Sequence, residues 1–265
     1  ANPRSMIEVG ECFDVLAFAG EPAAVAQARF RAGLSEIAWS GVARDNNIRA
    51  DSDMEKLGSL RTVFARDAAA TLTAGNSTPL TDGAAGVLLA SEEWARARGL
   101  PIQAWLTAGR TSAVDFVNDE GLLMAPAYAV PRMLADAGVN DEGLLMAPTV
   151  AVAELLQKTG LALQDFDFYE IHEAFAAQVL CTLAAWDSES YCRRRLGLNE
   201  ALGAIDRGRL NVKGSSLAVG HPFAATGARI LSTLAQILET AGSGRGLISV
   251  CTAGGMGVAA ILERK

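Results

Sequence analysis

Five segments in the C-terminal third carry the clearest strand and helix patterns in the chain. They follow the order strand, helix, helix, strand, strand and span residues 166–171, 173–186, 223–239, 246–251 and 258–263. The first is rich in β-prone aromatic residues, and the two helices have apolar positions at helical spacing. Pro222 stands at the first position of the long helix, where proline is favoured. Strands that alternate with helices in this way predict an α/β fold.

The upstream part of the chain is more polar and predicts shorter elements. Residues 41–67 are the most polar stretch, and they predict a surface excursion with a short helix over residues 54–60 that Asp53 caps. Residues 71–82 are rich in Thr, Gly, Asn and Pro and therefore predict a loop. Residues 83–98 begin apolar and end charged, which predicts an amphipathic helix.

A tandem repeat occupies the middle of the chain. The adjacent 22-residue units 117–138 and 139–160 both begin with VNDEGLLMAP and match at 14 positions. Each unit predicts a short loop and an amphipathic helix that ends at the last glycine of the unit. Two copies are fewer than a stacked repeat fold needs, so we interpret the pair as a local duplication or an assembly error in the sequence.

Composition and charge narrow the classes of protein that fit. The chain has 265 residues, of which 50% are hydrophobic and 20% charged, and its mean hydropathy is +0.21. These values fit one large domain or two small ones and exclude disordered, collagen-like and coiled-coil proteins. The net charge of −7 argues against nucleic acid as a partner. No apolar run reaches the roughly 18 residues that a membrane span needs.

The cysteines bear on location and on metal binding. The four cysteines stand at positions 12, 181, 192 and 251 and form no CxxC pair. Residues 1–20 lack the basic segment that opens a signal peptide. Scattered thiols without an export signal predict a reduced, cytoplasmic protein, and the lack of paired ligand spacings predicts no metal site.

Both histidines of the chain fall at junctions that precede helices, where α/β proteins often place ligands. His221 directly precedes Pro222, and a helix N-terminus disfavours a positive charge, so this imidazole should stay neutral. A neutral imidazole can act as a base or donate to an oxyanion, although a helix-capping role is about equally plausible at this stage. His172 taken alone fits a hydrogen-bonded structural residue better than a catalytic one.

Cys251 ends a predicted buried strand and precedes the sequence TAGGMG. Glycines permit close backbone approach and can aim N–H groups at an oxyanion. For a lone cysteine, an inert core thiol is the more common outcome. The basic run 193–195 could meet a phosphate, but a solvated helix face explains such runs more often.

Three blocks of the C-terminal part together closely resemble the signatures of the thiolase family of acyl-CoA C-acyltransferases. They are HEAFA at 172–176, GHP with TGAR at 220–229, and CTAGGMG at 251–257. Upstream, TAGNST at 73–78 is similar to the family segment that lines the CoA tail. The resemblance covers about residues 41–265. His172 and Phe223 point to the subgroup of the β subunit of the trifunctional fatty-acid oxidation complex.

The resemblance implies a Claisen exchange, in which a nucleophilic cysteine accepts an acyl group from 3-ketoacyl-CoA. Cys251 would move the proton on the acetyl α-carbon. His221 would activate the nucleophile and help to bind a thioester oxygen, and His172 would act through a water in the oxyanion hole of the enolate. No cofactor is implied beyond CoA and acyl-CoA as substrates. The resemblance assigns substrate or CoA binding to Asn76, Ser77, Thr78, Met146, Phe175, Ala253 and Gly254.

The chain departs from the family pattern at two places. The block that carries the nucleophilic cysteine, in a C-x-S-G-like context, has no counterpart, because Cys12 lies in the unrelated context GECFD. The second departure is the duplication at 117–160, in which either Met124 or Met146 could occupy the native place.

The resemblance also implies the architecture. We expect an α/β, thiolase-like fold whose C-terminal half is complete, with a mixed sheet and helices on both faces. That half would span 111–265, the last part of the N-terminal half would span 73–110, and residues 1–72 would be a remnant of the loop domain with a poorly matching N-terminal segment. The rest of the N-terminal half would be missing from this chain.

Three functional hypotheses remain open from the sequence. The chain is an incomplete or altered 3-ketoacyl-CoA thiolase of fatty-acid β-oxidation, a non-catalytic thiolase-like protein that binds CoA or serves assembly, or a split enzyme whose nucleophile comes from another chain. A half-sized thiolase sheet would expose apolar surface, which predicts a homo-oligomer. The subgroup resemblance also suggests a hydratase–dehydrogenase α subunit as a partner.

Overall fold

A four-stranded mixed sheet forms the centre of the computed structural model, which describes residues 47–63, 70–113, 145–252 and 255–265. The strands are β1 (Trp105–Ala113), β2 (Phe168–Ile171), β3 (Gly244–Thr252) and β4 (Met256–Arg264), in the spatial order β1-β4-β3-β2. β4 pairs antiparallel with both β1 and β3, whereas β2 pairs parallel with β3. The carboxyl ends of β2 and β3 therefore lie side by side.

Helices cover both faces of this sheet, as the resemblance implies. The described helices are α1 (Met54–Gly58), α2 (Glu92–Ala97), α3 (Ala147–Thr159), α4 (Ala176–Asp187), α5 (Glu189–Arg195), α6 (Ser216–Val219) and α7 (Phe223–Ala241). Alternate strand residues point to opposite faces, so Leu247 and Ile261 pack with α3 and α4, while Ile248 and Leu262 pack with α7. None of the described helices has the length and apolarity that a membrane crossing requires.

The predicted C-terminal elements are present with small shifts at their ends. β2, β3, β4 and α7 match the predictions to within two residues. Pro222 is the N-cap of α7 rather than its first helical residue, with φ −73° and ψ 106°. α4 begins at Ala176, three residues later than predicted, because the preceding residues stay extended against an upstream segment.

The second repeat unit forms the predicted helix, α3, and ends at Gly160. The Gly160 N–H donates to Leu156 O at 2.8 Å with a φ of 71°, a left-handed conformation that glycine adopts without strain. The first unit and residues 139–144 lie outside the described residues. Met146 is the N-cap of α3, and Met124 lies outside the described residues.

Upstream, one helix prediction is confirmed and one is wrong. Asp53 caps α1, since its Oδ1 accepts from Lys56 N at 2.7 Å. The helix predicted over 83–98 is only α2, with Ser91 as its N-cap, and residues 83–90 are not helical. Gly83 and Gly86 weaken helix formation, and Gly83 packs against the Pro222 ring instead. Strand β1 was not predicted, because its sequence WLTAGRTSA lacks a regular apolar alternation.

Gly257 generates a stability prediction. A Cβ at this position would lie 2.6 Å from Ala147 C and Pro148 N, so β4 and the start of α3 can approach only with glycine here. We expect Gly257→Ala to lower the free energy of unfolding by about 2 kcal/mol, because backbone must move. The matched control is Gly227→Ala in α7. A Cβ at this position would have no atom within 4 Å other than the adjacent backbone of its own helix, so alanine should leave the free energy of unfolding unchanged or raise it. Urea unfolding followed by circular dichroism measures both; equal effects would contradict this packing argument.

Candidate functional site

The predicted catalytic residues lie at the carboxyl ends of the parallel pair β2 and β3. His172 directly follows β2, and its N–H donates to Ser249 O at 2.9 Å, which extends the ladder by one residue. Cys251 is the penultimate residue of β3. His221 precedes α7, whose N-terminus reaches the same edge. Ligand sites in α/β sheets form at such carboxyl edges.

The two imidazoles are in contact. The ring centroids of His172 and His221 lie 4.3 Å apart with an interplanar angle of 43°. The Phe223 ring also contacts His221, with 4.8 Å between ring centroids. His172 is fully buried, whereas His221 is half-buried and so the more accessible ring.

Thr226 contacts Nδ1 of His221. His221 Nδ1 lies 2.7 Å from Thr226 Oγ1, and Thr226 Oγ1 also lies 3.1 Å from Pro222 O. A hydroxyl has one hydrogen, so a Thr226 hydroxyl that donates to Pro222 O accepts from Nδ1–H. This leaves Nε2 with its lone pair, as a general base requires.

Both imidazoles are biased toward the neutral form. Burial, together with the His221 ring and the Arg229 charge, lowers the pKa of His172 to about 3. Burial and then Arg229 lower the pKa of His221. The predicted neutrality of His221 is confirmed in direction, but burial rather than the helix terminus is the main cause.

Asn211 and Glu173 fix the backbone that presents His172. The Asn211 amide spans Ile171, since its Oδ1 accepts from Ile171 N and its Nδ2 donates to Ile171 O, both at 2.9 Å. Asn211 Nδ2 also donates to Glu173 Oε1 at 2.7 Å, and Glu173 Oε2 accepts from Leu217 N at 3.1 Å. Asn211 has a φ of 47°, a conformation that asparagine tolerates better than most residues. These bonds therefore fix the backbone conformation at the end of β2, where His172 follows.

The upstream segment 76–79 lies against this edge. Ala176 N donates to Asn76 O at 3.0 Å, Thr78 N donates to Ala174 O at 3.1 Å, and the Thr78 hydroxyl donates to Glu173 O. Ser77 pairs antiparallel with Phe175. These contacts bring Asn76, Ser77 and Thr78, which the sequence assigns to CoA binding, to the 172–175 segment.

The same upstream segment also contacts the loop before α7. His221 N donates to Pro79 O at 3.0 Å. Gly220 has a φ of 89°, and a Cβ there would collide with the Thr81 side chain. The two loops that carry the histidines are thus both packed on residues 76–83.

The Cys251 thiol lies beside the 172–175 segment. It is 6% exposed and packs with Leu145, Ala174 and Phe175. Burial raises its pKa to about 12. In the part of the chain that the structure describes, the thiol bonds to Gln178 Oε1 at 3.8 Å and to backbone, and neither imidazole is a partner.

Gln178 extends this contact into a buried chain of donors. Gln178 Nε2 donates to Thr182 Oγ1 at 3.0 Å, and the Thr182 hydroxyl points to Met146 Sδ at 3.9 Å. Each group donates away from Cys251, so the Gln178 carbonyl is free to accept the thiol proton. These hydrogen bonds therefore favour the protonated form of the Cys251 thiol.

The remaining predicted binding residues have three different outcomes. Phe175 is half-buried beside Cys251, as a substrate-facing residue could be. Met146 instead packs with Cys181 and Ala185 on α4 and with Tyr191 on α5, and it remains a prediction as a binding residue. Ala253 and Gly254 lie outside the described residues. Among the described residues, no three His, Cys, Asp or Glu side chains converge as metal ligands would.

Sequence reasoning did not single out Ser216, Gln178 or Asn211. Ser216 Oγ lies 2.9 Å from His172 Nδ1, although 44 residues separate the two along the chain. Gln178 follows the HEAFA block by two residues, and a polar residue in an otherwise apolar helix was an available signal. No sequence pattern marked Asn211.

Family models match most of the described chain. The thiolase C-terminal domain matches residues 126–264, and the thiolase N-terminal domain matches residues 23–93. The first match alone covers more than half of the 265 residues. This chain belongs to the thiolase family.

Known thiolases share both sequence and fold with this one. The 3-ketoacyl-CoA thiolase of Pectobacterium atrosepticum is 43% identical over 222 residues. The dimeric peroxisomal thiolase of Saccharomyces cerevisiae matches with a TM-score of 0.59 at 33% identity and covers 82% of this chain and 44% of its own. Human mitochondrial 3-ketoacyl-CoA thiolase in complex with CoA gives 0.59 at 28% identity, covering 83% of this chain and 45% of its own.

The thiolase chain spans less than half the length of the curated relatives it matches. The alignment with the Pectobacterium protein covers 84% of this chain but 45% of the relative. The expectation of a thiolase-like α/β fold with a mixed sheet is confirmed. The domain boundaries 1–72, 73–110 and 111–265 stay predictions.

The depressed pKa of His172 predicts a pH dependence of stability. Its unfolded-state pKa is near 6.5 and its folded-state pKa about 3, so only the unfolded state takes up the proton between these values. The contribution of His172 to the free energy of unfolding is therefore complete above pH 6.5. It is lost as the pH falls toward 3, by up to about 1.4 kcal/mol per pH unit.

His172→Asn isolates this effect from other groups that titrate nearby. Glu170, whose pKa burial raises to about 7, acts in the opposite sense between 4.5 and 7 in both proteins. Urea unfolding at a series of pH values should show a shallower acid loss in His172→Asn than in the wild type. Parallel profiles would refute the assignment.

Proposed function

We propose that this chain supplies the C-terminal part of an acyl-CoA C-acyltransferase site, which cleaves 3-ketoacyl-CoA with CoA or runs the reverse Claisen condensation. The observation that carries the proposal is the arrangement around residues 172–175. A contacting pair of imidazoles, one of which is His172 in this segment, and the buried Cys251 thiol, which packs on Ala174 and Phe175, both adjoin it. We place the reaction in fatty-acid β-oxidation on the strength of the 3-ketoacyl-CoA thiolase relatives.

His221 fits the role of general base and oxygen ligand. Its Nδ1 proton is engaged by Thr226, so Nε2 can take a proton from the attacking thiol. Its half-buried position leaves the ring accessible, unlike that of His172. Once protonated, Nε2–H can donate to a thioester oxygen that gains charge.

His172 fits the enolate oxyanion site. A buried, neutral imidazole held at Nδ1 by Ser216 keeps its Nε2 in a fixed direction. Such fixed dipoles stabilise developing charge without reorganisation when the reaction occurs. We propose that it acts through a water, as the resemblance implies.

Cys251 fits the proton donor in the cleavage direction. When the bond between the α- and β-carbons breaks, its electron pair forms the enolate of acetyl-CoA, which must take up a proton. Burial keeps the Cys251 thiol protonated at neutral pH, so the proton is available. The thiolate left behind is regenerated as the thiol when the next turnover requires a proton, with His221 or solvent as the source.

The acyl-accepting nucleophile is the component without a match in this chain. Of the four cysteines, Cys12 lies outside the described residues, and Cys181 and Cys192 are buried in or beside α4 and α5. We therefore propose that the nucleophile comes from the part of a thiolase that this chain does not span, on the same polypeptide or on another.

We propose CoA as ligand of the edge formed by Asn76, Ser77 and Thr78. This segment is ordered by backbone bonds to 174–176, and the buried Ser77 hydroxyl has no partner among the described groups. The human relative whose structure contains CoA supports this assignment.

Deuterium exchange tests the proposed chemistry without requiring the nucleophile. Incubated with acetyl-CoA in D₂O, the chain should exchange the α-protons of the acetyl group, and Cys251→Ala should lower the rate at least tenfold. The control is Cys192→Ala, another buried thiol, which should leave exchange unchanged. Nuclear magnetic resonance of the acetyl methyl group provides the measurement.

Thiolysis of acetoacetyl-CoA separates the hypotheses that the sequence left open. Exchange without thiolysis supports a chain that lacks only its nucleophile. A burst of free CoA with an acyl-enzyme seen by mass spectrometry supports a complete enzyme. CoA binding without exchange or thiolysis would overturn the proposed activity in favour of a non-catalytic protein.

We also expect self-association, as the dimeric yeast relative suggests. Leu88 and Leu89 are 71% and 64% exposed and line an apolar groove with Trp105 and Leu231. Light scattering after size exclusion should give a mass of at least two chains, and Leu88→Asp should weaken the assembly. Met54→Asp, at a residue 84% exposed outside this groove, is the control. A stable monomer would contradict this expectation.

A further inference from the structure

Arg229 connects α7 to the histidine pair. It lies in the second turn of α7, and its Nη2 donates to Ser216 Oγ at 2.9 Å. Ser216 is fully buried, and the same hydroxyl lies 2.9 Å from His172 Nδ1. Guanidinium, hydroxyl and imidazole thus form one continuous polar path.

The donors along this path restrict the geometry of His172. Ser216 Oγ accepts from Arg229, which leaves it one hydrogen and one further lone pair for the imidazole. Because Ser216 begins α6 and Arg229 belongs to α7, two separate helices must be in place before the hydroxyl can reach Nδ1. The hydrogen bond therefore makes the ring orientation depend on tertiary packing.

The charge of Arg229 is only partly balanced by its surroundings. Glu170 on β2 and Glu173 after β2 both attract it. Glu173 Oε1 accepts a hydrogen bond from Asn211 Nδ2, and Glu173 Oε2 accepts one from Leu217 N. Glu170 is 1% exposed, and its oxygens lack hydrogen-bond partners within the described residues. A carboxyl in that setting tends to hold its proton, so it cancels little of the guanidinium charge.

The remaining groups around the histidines carry no charge. Ser216 contacts His172, Thr226 and Phe223 contact His221, and the upstream segment contributes Pro79 O and the Thr81 side chain. Among the described residues, Arg229 is thus the cation that acts on both rings, and His221 also acts on His172.

We propose that Arg229 is a positioning residue for the histidine pair: it holds His172 through the Ser216 hydroxyl, and its positive charge opposes protonation of both rings. The consequence for turnover rests on the proposed acyl transfer, since a base and an oxyanion site both need neutral imidazoles. The contacts and the charge effect do not depend on that function.

Histidine titration tests this role without substrate. The chain has two histidines, so a spectrum of ¹³C-labelled ring Cε1–H groups contains two signals. Arg229→Met should move the titration midpoints of both signals to higher pH, because a positive charge is removed and Glu170 and Glu173 remain. Arg229→Lys keeps the charge and should stay closer to the wild type.

Two further variants separate charge from orientation. Ser216→Ala should alter the chemical shift of His172 while the midpoint of His221 stays in place. Arg209→Met is the control, because it removes a half-exposed arginine beside Asp206 and Asp167. It should shift neither signal.

The outcomes of the titration are decisive. Unchanged midpoints in Arg229→Met, or an equal shift in Arg209→Met, would overturn the charge effect, and an unchanged His172 signal in Ser216→Ala would overturn the positioning. If Arg229→Met does not fold, Arg229→Gln removes the same charge and serves in its place. Shifted midpoints in Arg229→Met, together with a wild-type chain that shows no deuterium exchange, would overturn the proposed function and leave this role intact.

Discussion

The extended segment 172–175 is the feature on which the rest of the site depends. Its backbone bonds to β3 through Ser249 and to the upstream segment through Asn76 and Thr78, so it is fixed from both sides. Immediately before this segment, the Asn211 side chain bonds to the backbone N–H and carbonyl of Ile171, the last residue of β2. Because these bonds hold the segment extended, α4 begins only at Ala176, and both the imidazole of His172 and the buried thiol of Cys251 adjoin one short stretch of backbone.

Burial favours the uncharged forms of His172, His221 and Cys251. Charged forms are disfavoured in an apolar environment, so the imidazoles lose affinity for a proton and the thiol retains its own. Neutral imidazoles and a protonated thiol are the starting states that acyl transfer by this site would need. Arg229 and Gln178 act in the same direction as burial, the first by its charge and the second by accepting the thiol proton.

Close backbone contacts explain why glycines recur in the signature blocks. Gly257 allows β4 to meet the start of α3, and Gly220 allows the loop of His221 to meet Thr81. These contacts join elements that lie far apart in the sequence.

The sequence by itself determined β2, β3, β4, α3, α4 and α7, the family, and the identity of His172, His221 and Cys251 as candidates, because these follow from local periodicity and motif. It did not determine that residues 83–90 avoid a helix, that β1 joins the sheet edge, or that Ser216, Asn211 and Gln178 hold the site residues. Those features depend on contacts between residues 40 or more positions apart, or on burial. Only the tertiary structure, by excluding water and fixing hydrogen-bond partners, decided the protonation states of the three candidates.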